Sequence, residues 1–269
     1  MSLCLAPAAA LGLVAYSARQ VDDRFKILDY PTQHAERIDR YVEIVREARV
    51  VRYTNDYDRI LSVSHRWIAG TREGRYAELP PLASGDDFGS GAKRQILAAQ
   101  DALFEGLAGA AHFYRAQGDY GRSAEAWVTY LELGDCLKRS DLDLLTRLSL
   151  RQLSATQRLG EALAQAPPQD RKTLGLRIAA VLKDQPSPKQ MAKMAEYDYI
   201  VSRSDIVHPE EVGIAPRELR TYLGEVTAMA KTRPKTTSVE ANTLLSLLHV
   251  AVRHHARLKE ELEALVTAP

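Results

Sequence analysis

The chain is short of everything that would announce a specialised chemistry. It has two cysteines in 269 residues, Cys4 and Cys136. Two thiols so far apart make neither a disulfide framework nor a spaced metal site, and a lone buried thiol is the expectation for Cys136. It has no excess of either charge: 36 Lys and Arg stand against 35 Asp and Glu, for a formal net charge of +1. That balance removes the global attraction by which a basic domain finds nucleic acid, so no nucleic-acid partner is expected. Phenylalanine is scarce, with four residues against twelve tyrosines. Strand-like alternation is nearly absent as well. RVVRYT, residues 49–54, is the best short candidate, and a helix explains it equally well.

Catalytic and ligand motifs are also missing. No G-x-S-x-G elbow occurs, and the GSG at 89–91 is too short for one. In GDDFGSGAKR, residues 85–94, Lys93 is followed by Arg94 and the glycine spacing is wrong for a phosphate loop, so Ser90 reads as a helix initiator. Asp86 with Asp87, and the NDYDR stretch at 55–59, lack the regular oxygen ligands of a calcium loop and read as caps and turns. His249, His254 and His255 share one predicted helix, but the five-residue step from His249 to His254 does not give the i, i+4 pair of helical zinc sites. His65 and His112 read as packed or surface histidines. No catalytic residue, metal site or cofactor is assigned.

One long uncharged run is present. MSLCLAPAAALGLVAYSA ends at Arg19 after eighteen residues, the low edge of a membrane span. It lacks the basic start of a secretory signal. The reading stays open between a buried N-terminal helix and a membrane anchor, hence between a soluble cytoplasmic and an N-terminally anchored protein.

Helical periodicity dominates the rest. Ile38, Tyr41, Val42, Val45 and Ala48 form one stripe, and Ile60, Leu61, Ser64, Trp67 and Ile68 a second that Gly70 would end. Residues 70–90, with paired prolines and four glycines, read as a linker or long loop. Beyond it Ile96, Leu97, Leu103, Phe104, Leu107, Ala111 and Tyr114 mark a broad face on a helix made slim by alanine and glycine. Gly118-Asp119 breaks the pattern, and Ala124, Trp127, Val128 and Leu131 resume it. Further segments follow over 141–165, 170–184, from Pro216, and from Thr237, which stands at capping-box spacing before Glu240. The predicted fold is all-α, an irregular helical bundle or short α-solenoid. Its expected parts are an apolar segment 1–18, a helical region 19–69, the 70–90 linker and a main helical domain 91–269.

The stretch LFEGLAGAAHFYRAQGDYGRSAEAWVTYLEL, residues 103–133, resembles one tetratricopeptide-repeat unit. Leu107, Ala110 with Ala111, Tyr114, Gly118-Asp119-Tyr120, Ser123 with Ala124, and Trp127 fall at its marked positions. Tyr130 replaces the expected alanine, no proline closes the unit, and no second unit follows at the family's 34-residue spacing. The resemblance implies a helical hairpin and a protein-binding surface. Tyrosine combines apolar area with a hydroxyl, which suits interfaces. The binding candidates are therefore Tyr120, Trp127 and Tyr130 on the second hairpin helix, with Tyr197 and Tyr199 in the later Tyr-Asp-Tyr cluster. The function expected is a noncatalytic protein-binding scaffold. The alternatives are a structural subunit of a membrane-associated assembly and an all-α enzyme acting on a small or lipid-like molecule, its site under the 70–90 tract.

Overall fold

The computed structural model describes residues 44–51, 54–73, 87–136, 142–187, 191 and 239–267. Among them lie seven helical segments and no strand, so the fold is an all-α irregular helical bundle. Residues 44–51 form α1, which includes part of the best strand candidate, 49–54. Then come α2 (Tyr57–Arg72), α3 (Asp87–Ala116), α4 (Tyr120–Asp135), α5 (Leu142–Gln165), α6 (Pro168–Lys183) and α7 (Val239–Thr267).

Local chemistry sets the helix ends. Asp56 caps α2 by accepting from the Arg59 amide at 3.1 Å. Gly70 does not stop this helix; it is buried, and α2 runs on to Arg72. α3 begins at Asp87, upstream of Ser90. Pro168 opens α6, where a missing N–H costs nothing, and Pro167 precedes it as the cap.

The α3–α4 turn is tighter than the sequence alone reveals. Gly118 has φ +77°, a left-handed conformation costly to side-chain-bearing residues. Its amide bonds to the Arg115 carbonyl at 3.0 Å and that of Asp119 to the Tyr114 carbonyl at 2.9 Å. This pair of bonds closes α3 in a Schellman motif. Asp119 then serves the next helix, its carboxylate accepting from the Arg122 amide at 3.0 Å. Two residues thus end one helix and start another.

Side-chain pairs give the topology. Across α3 and α4, Phe104 meets Tyr130 and Ser123 bonds to Ala111, so the two run antiparallel. Across α4 and α5, Leu131 meets Gln152 while Trp127 meets Arg158, again antiparallel. Thr129 with His65, and Glu132 with Arg72, make α2 parallel to α4. Gly121 with Asp170, and Glu132 with Arg177, make α6 parallel to α4 as well. The result is two rows. α2, α4 and α6 point one way; α3 and α5 point the other, α3 packing on α2 and α4 and α5 on α4. α7 packs against α5 and α6.

The small residues of α3 serve two neighbours. A Cβ on Gly106 would meet Ile60 of α2 at 2.9 Å, and one on Gly109 would meet Tyr57 at 3.4 Å. On the α4 side, buried Ser123 donates to the Ala111 carbonyl at 2.9 Å. α1 and α2 share one core cluster with α3 to α7, joining Ile44, Val51, Trp67, Leu107, Leu131, Leu159, Ile178 and Leu262.

The expected membrane association is corrected. No helix among the described residues is long and apolar enough to cross a membrane. α3 and α7 have the length, at 30 and 29 residues, but both carry charges along one side and bury the other. Residues 1–18, read as either a buried helix or an anchor, lie outside the described residues, as do Cys4, Ser140, Asp141, Pro216 and Thr237. Cys136 is half-buried rather than buried.

Trp127 is 4% exposed and packs among His112, Tyr130 and Arg158. Trp127→Ala removes apolar burial and leaves a cavity, and should cost about 3–5 kcal/mol in equilibrium urea unfolding. A loss below about 1 kcal/mol, the range of surface substitutions, would contradict this placement.

Candidate functional site

The described sequence-predicted residues all lie on α4. Trp127 and Tyr130 are buried and Tyr120 is half-buried. Tyr197 and Tyr199 lie outside the described residues. Trp127 and Tyr130 form the floor of a surface made by α3 and α5. Their rings are 5.7 Å apart, the Phe104 ring lies tilted against Tyr130 at 4.6 Å, and the His112 ring meets Trp127 edge-on at 5.7 Å. Over this floor lie two arginines of α5. The Arg151 guanidinium is 5.3 Å from the Phe104 ring and that of Arg158 is 5.7 Å from the Trp127 ring, both within cation–π range.

The same arginines tie α5 to α3. Arg151 bonds Asp101 at 2.6 Å, and Arg115 bonds Glu161 at 2.8 Å. Arg158 instead bonds the His112 Nε2 at 2.8 Å, and no carboxylate among the described residues pairs with it. That bond needs His112 neutral, with a bare Nε2 as acceptor. Burial, then Arg158 and Arg115, holds the His112 pKa below the usual imidazole value, in agreement with that role. Among the described residues the face thus presents one arginine without an acidic partner, bordered by two arginine–carboxylate pairs.

A second polar group lies on the opposite side of α4. Glu125, Thr129 and Glu132 recur on one stripe and meet His65 and Arg72 of α2 and Arg177 of α6. Arg177 grips Glu132 side-on, with Nη2 to Oε2 at 2.6 Å and Nε to Oε1 at 3.3 Å. Arg72 adds a contact to Oε1 at 3.5 Å. Thr129 Oγ1 donates to the Glu125 carbonyl at 2.9 Å and accepts from Arg177 Nη2 at 3.0 Å. His65 Nε2 lies 3.0 Å from that same oxygen. Sequence reading missed this cluster because its members are scattered over 112 positions and each looks like an ordinary surface charge.

A third group sits at the turn end. Asp58 accepts from the Tyr114 hydroxyl at 2.6 Å and from Arg122, whose guanidinium stacks 4.3 Å over the Tyr114 ring. Burial and the Asp58 bond push the Tyr114 hydroxyl up to about 12. The same hydrogen bond, then that from Arg122, holds the Asp58 carboxyl below its ordinary value. NDYDR thus supplies both the α2 cap and an inter-helix anchor.

Among the described residues no group of three or more His, Cys, Asp or Glu is placed to hold a metal ion. His255 is buried on α7, and burial followed by Arg253 holds the neighbouring His254 below the usual value. Comparison of the chain with models of protein families, with curated proteins and with solved structures found no match.

Glu132 is buried, so losing its main partner is costly. Arg177→Met should destabilise by about 3 kcal/mol, the low end for a broken buried pair because Arg72 remains. The double variant Arg177→Met/Glu132→Met should recover most of that loss, since two apolar groups replace a desolvated pair. Urea midpoints check this. A double variant no more stable than the single would show that the pair does not carry the cost.

Proposed function

We propose that the protein is a noncatalytic helical scaffold that binds another protein on the α3–α5 face. In this reading the α3–α4 hairpin is tetratricopeptide-like. α5–α6 packs beside it in the same sense, with partners across the two hairpins 45–50 positions apart. That interval exceeds the family's 34 residues, so the likeness is claimed for one hairpin and not for an array. Trp127 and Tyr130 would then act as a rigid floor beneath the contact surface, not as exposed anchors. Tyr120 lies at the turn end, at the margin of the hairpin.

The observation that carries the reading is Arg158. It is held over an aromatic ring by a neutral histidine, with no carboxylate partner among the described residues. A preorganised arginine of this kind is a common interface anchor, because little rotamer entropy is lost on binding. Among the described residues an enzyme reading would draw on His65, Glu125 and Glu132, where a histidine and carboxylates converge. Both Glu132 oxygens are taken by arginines, and the Thr129 hydroxyl by its neighbours, so the cluster satisfies itself.

A photo-crosslinking residue at exposed Ser154 on α5 tests the proposal in cells of the source. A discrete protein adduct is expected there, reduced at least several-fold by Arg158→Glu and absent when the probe is placed at Leu176 on α6. Equal labelling at Ser154 and Leu176, or indifference to Arg158→Glu, would sink the reading.

A further inference from the structure

The cluster under α4 has a feature that self-satisfaction does not explain: a half-buried histidine of α2 stands beside the Arg177 guanidinium of α6. His65 Nε2 lies 3.0 Å from Thr129 Oγ1 and 3.4 Å from Arg177 Nη2. The charged and titratable groups around it come from every packed element. α2 itself brings Arg72, and Arg66 is engaged by Glu47 of α1 at 2.6 Å. α4 brings Glu125 and Glu132, and α6 brings Arg177. α3 meets α2 further along, where Tyr114 bonds Asp58.

We propose that His65 is a pH-sensitive latch that ties α2 to the α4–α6 pair when neutral and loosens it when protonated. With a neutral ring, Thr129 Oγ1 accepts from both His65 and Arg177, and the three helices share one junction. A proton added to His65 places a second cation 3.4 Å from the Arg177 guanidinium. Relief would have to come from a carboxylate. Glu132 is held by Arg177 at both oxygens and by Arg72 at one, so it cannot turn to His65 without releasing an arginine. Glu125 is more exposed and already 3.9 Å from Arg177 Nη1. His65 and Arg72 are both carried by α2, so displacement of α2 would take the added charge away from Arg177. Burial and then Arg177 lower the His65 pKa, and Glu125 and Glu132 only partly counter them.

The direction follows from linkage. A depressed pKa in the closed state leaves the latch undisturbed above pH 6.5, the ordinary imidazole value. Closure then weakens as pH falls from 6.5 to the lower pKa of the closed state, and weakens no further below it. Over that window the opening equilibrium rises by at most about tenfold per pH unit, the limit for one proton.

Amide hydrogen exchange on the full chain, corrected for intrinsic rates, reads the opening of α2 between pH 7.5 and 5.5, with α5 as reference. Protection in α2 is expected to fall several-fold below pH 6.5 while α5 holds, and His65→Gln, which keeps a polar amide but cannot titrate, should abolish the difference. The His65 ring, followed by NMR in the unsubstituted protein, should titrate below its ordinary value. Flat α2 protection, equal loss in α5, the same pH dependence in His65→Gln, or a His65 ring titrating at or above 6.5 would each overturn the latch. The ring titration and the wild-type exchange decide it even if the variant fails to fold.

Discussion

The structure depends on one constraint: α4 is surrounded. It touches α2, α3, α5 and α6, and thirteen of its sixteen residues are buried. A helix enclosed on all sides cannot hide polar groups on a wet face, so every polar group it carries needs a protein partner. The neighbours are arranged to meet that demand. Ser123 is answered by an α3 carbonyl, Glu132 by arginines from α2 and α6, and Asp135 by the Gln185 amide at 2.9 Å. Space is as tight as polarity. A Cβ on Gly134 would lie 2.8 Å from the amide nitrogen of Gln152, which itself donates to the Leu131 carbonyl at 2.6 Å.

The two sides of α4 follow from this. Toward α3 and α5 it shows rings, and arginines from α5 close over them. Toward α2 and α6 it shows carboxylates and a threonine, and there a half-buried Arg177 and an exposed Arg72 pair with the buried Glu132. The same residue type therefore does two jobs. Arg177 stabilises an internal charge, whereas Arg158, with no acidic partner among the described residues, is the arginine assigned to a partner in the proposed function. The proposed latch and the proposed binding face occupy opposite sides of one helix, which gives the latch a physical route to that face: movement of α2 bears on α4, and α4 is the floor.

The fold class was legible because the apolar stripes keep helical spacing. Ile60, Leu61, Ser64, Trp67 and Ile68 are all buried, and so are Leu174, Ile178 and Val181. The Gly118-Asp119 turn was legible for the same reason that it works: few residues tolerate its conformation. The enclosure of α4 was not legible. Glu125, Thr129, Glu132 and Asp135 read as a solvated stripe in one dimension, and only helices 45 to 64 positions away turn that stripe inward. Gly70 failed as a stop signal because a glycine in a helix also serves close packing, and its burial shows that use. Tyr120, Trp127 and Tyr130 lie on one helix, as their spacing implied, but spacing could not say that α3 and α5 would roof the last two.

The most direct test of α4 as the element the rest depends on follows Trp127 alone. In a Trp67→Phe background its fluorescence reports the environment of α4, and far-ultraviolet circular dichroism reports the helices as a whole. If the enclosed α4 is exposed only when the bundle unfolds, the two urea transitions, followed above pH 6.5, coincide in midpoint and slope, as two-state unfolding requires. A Trp127 transition at clearly lower urea than the loss of helicity would mean that α4 can be exposed while its neighbours persist, and would contradict the account.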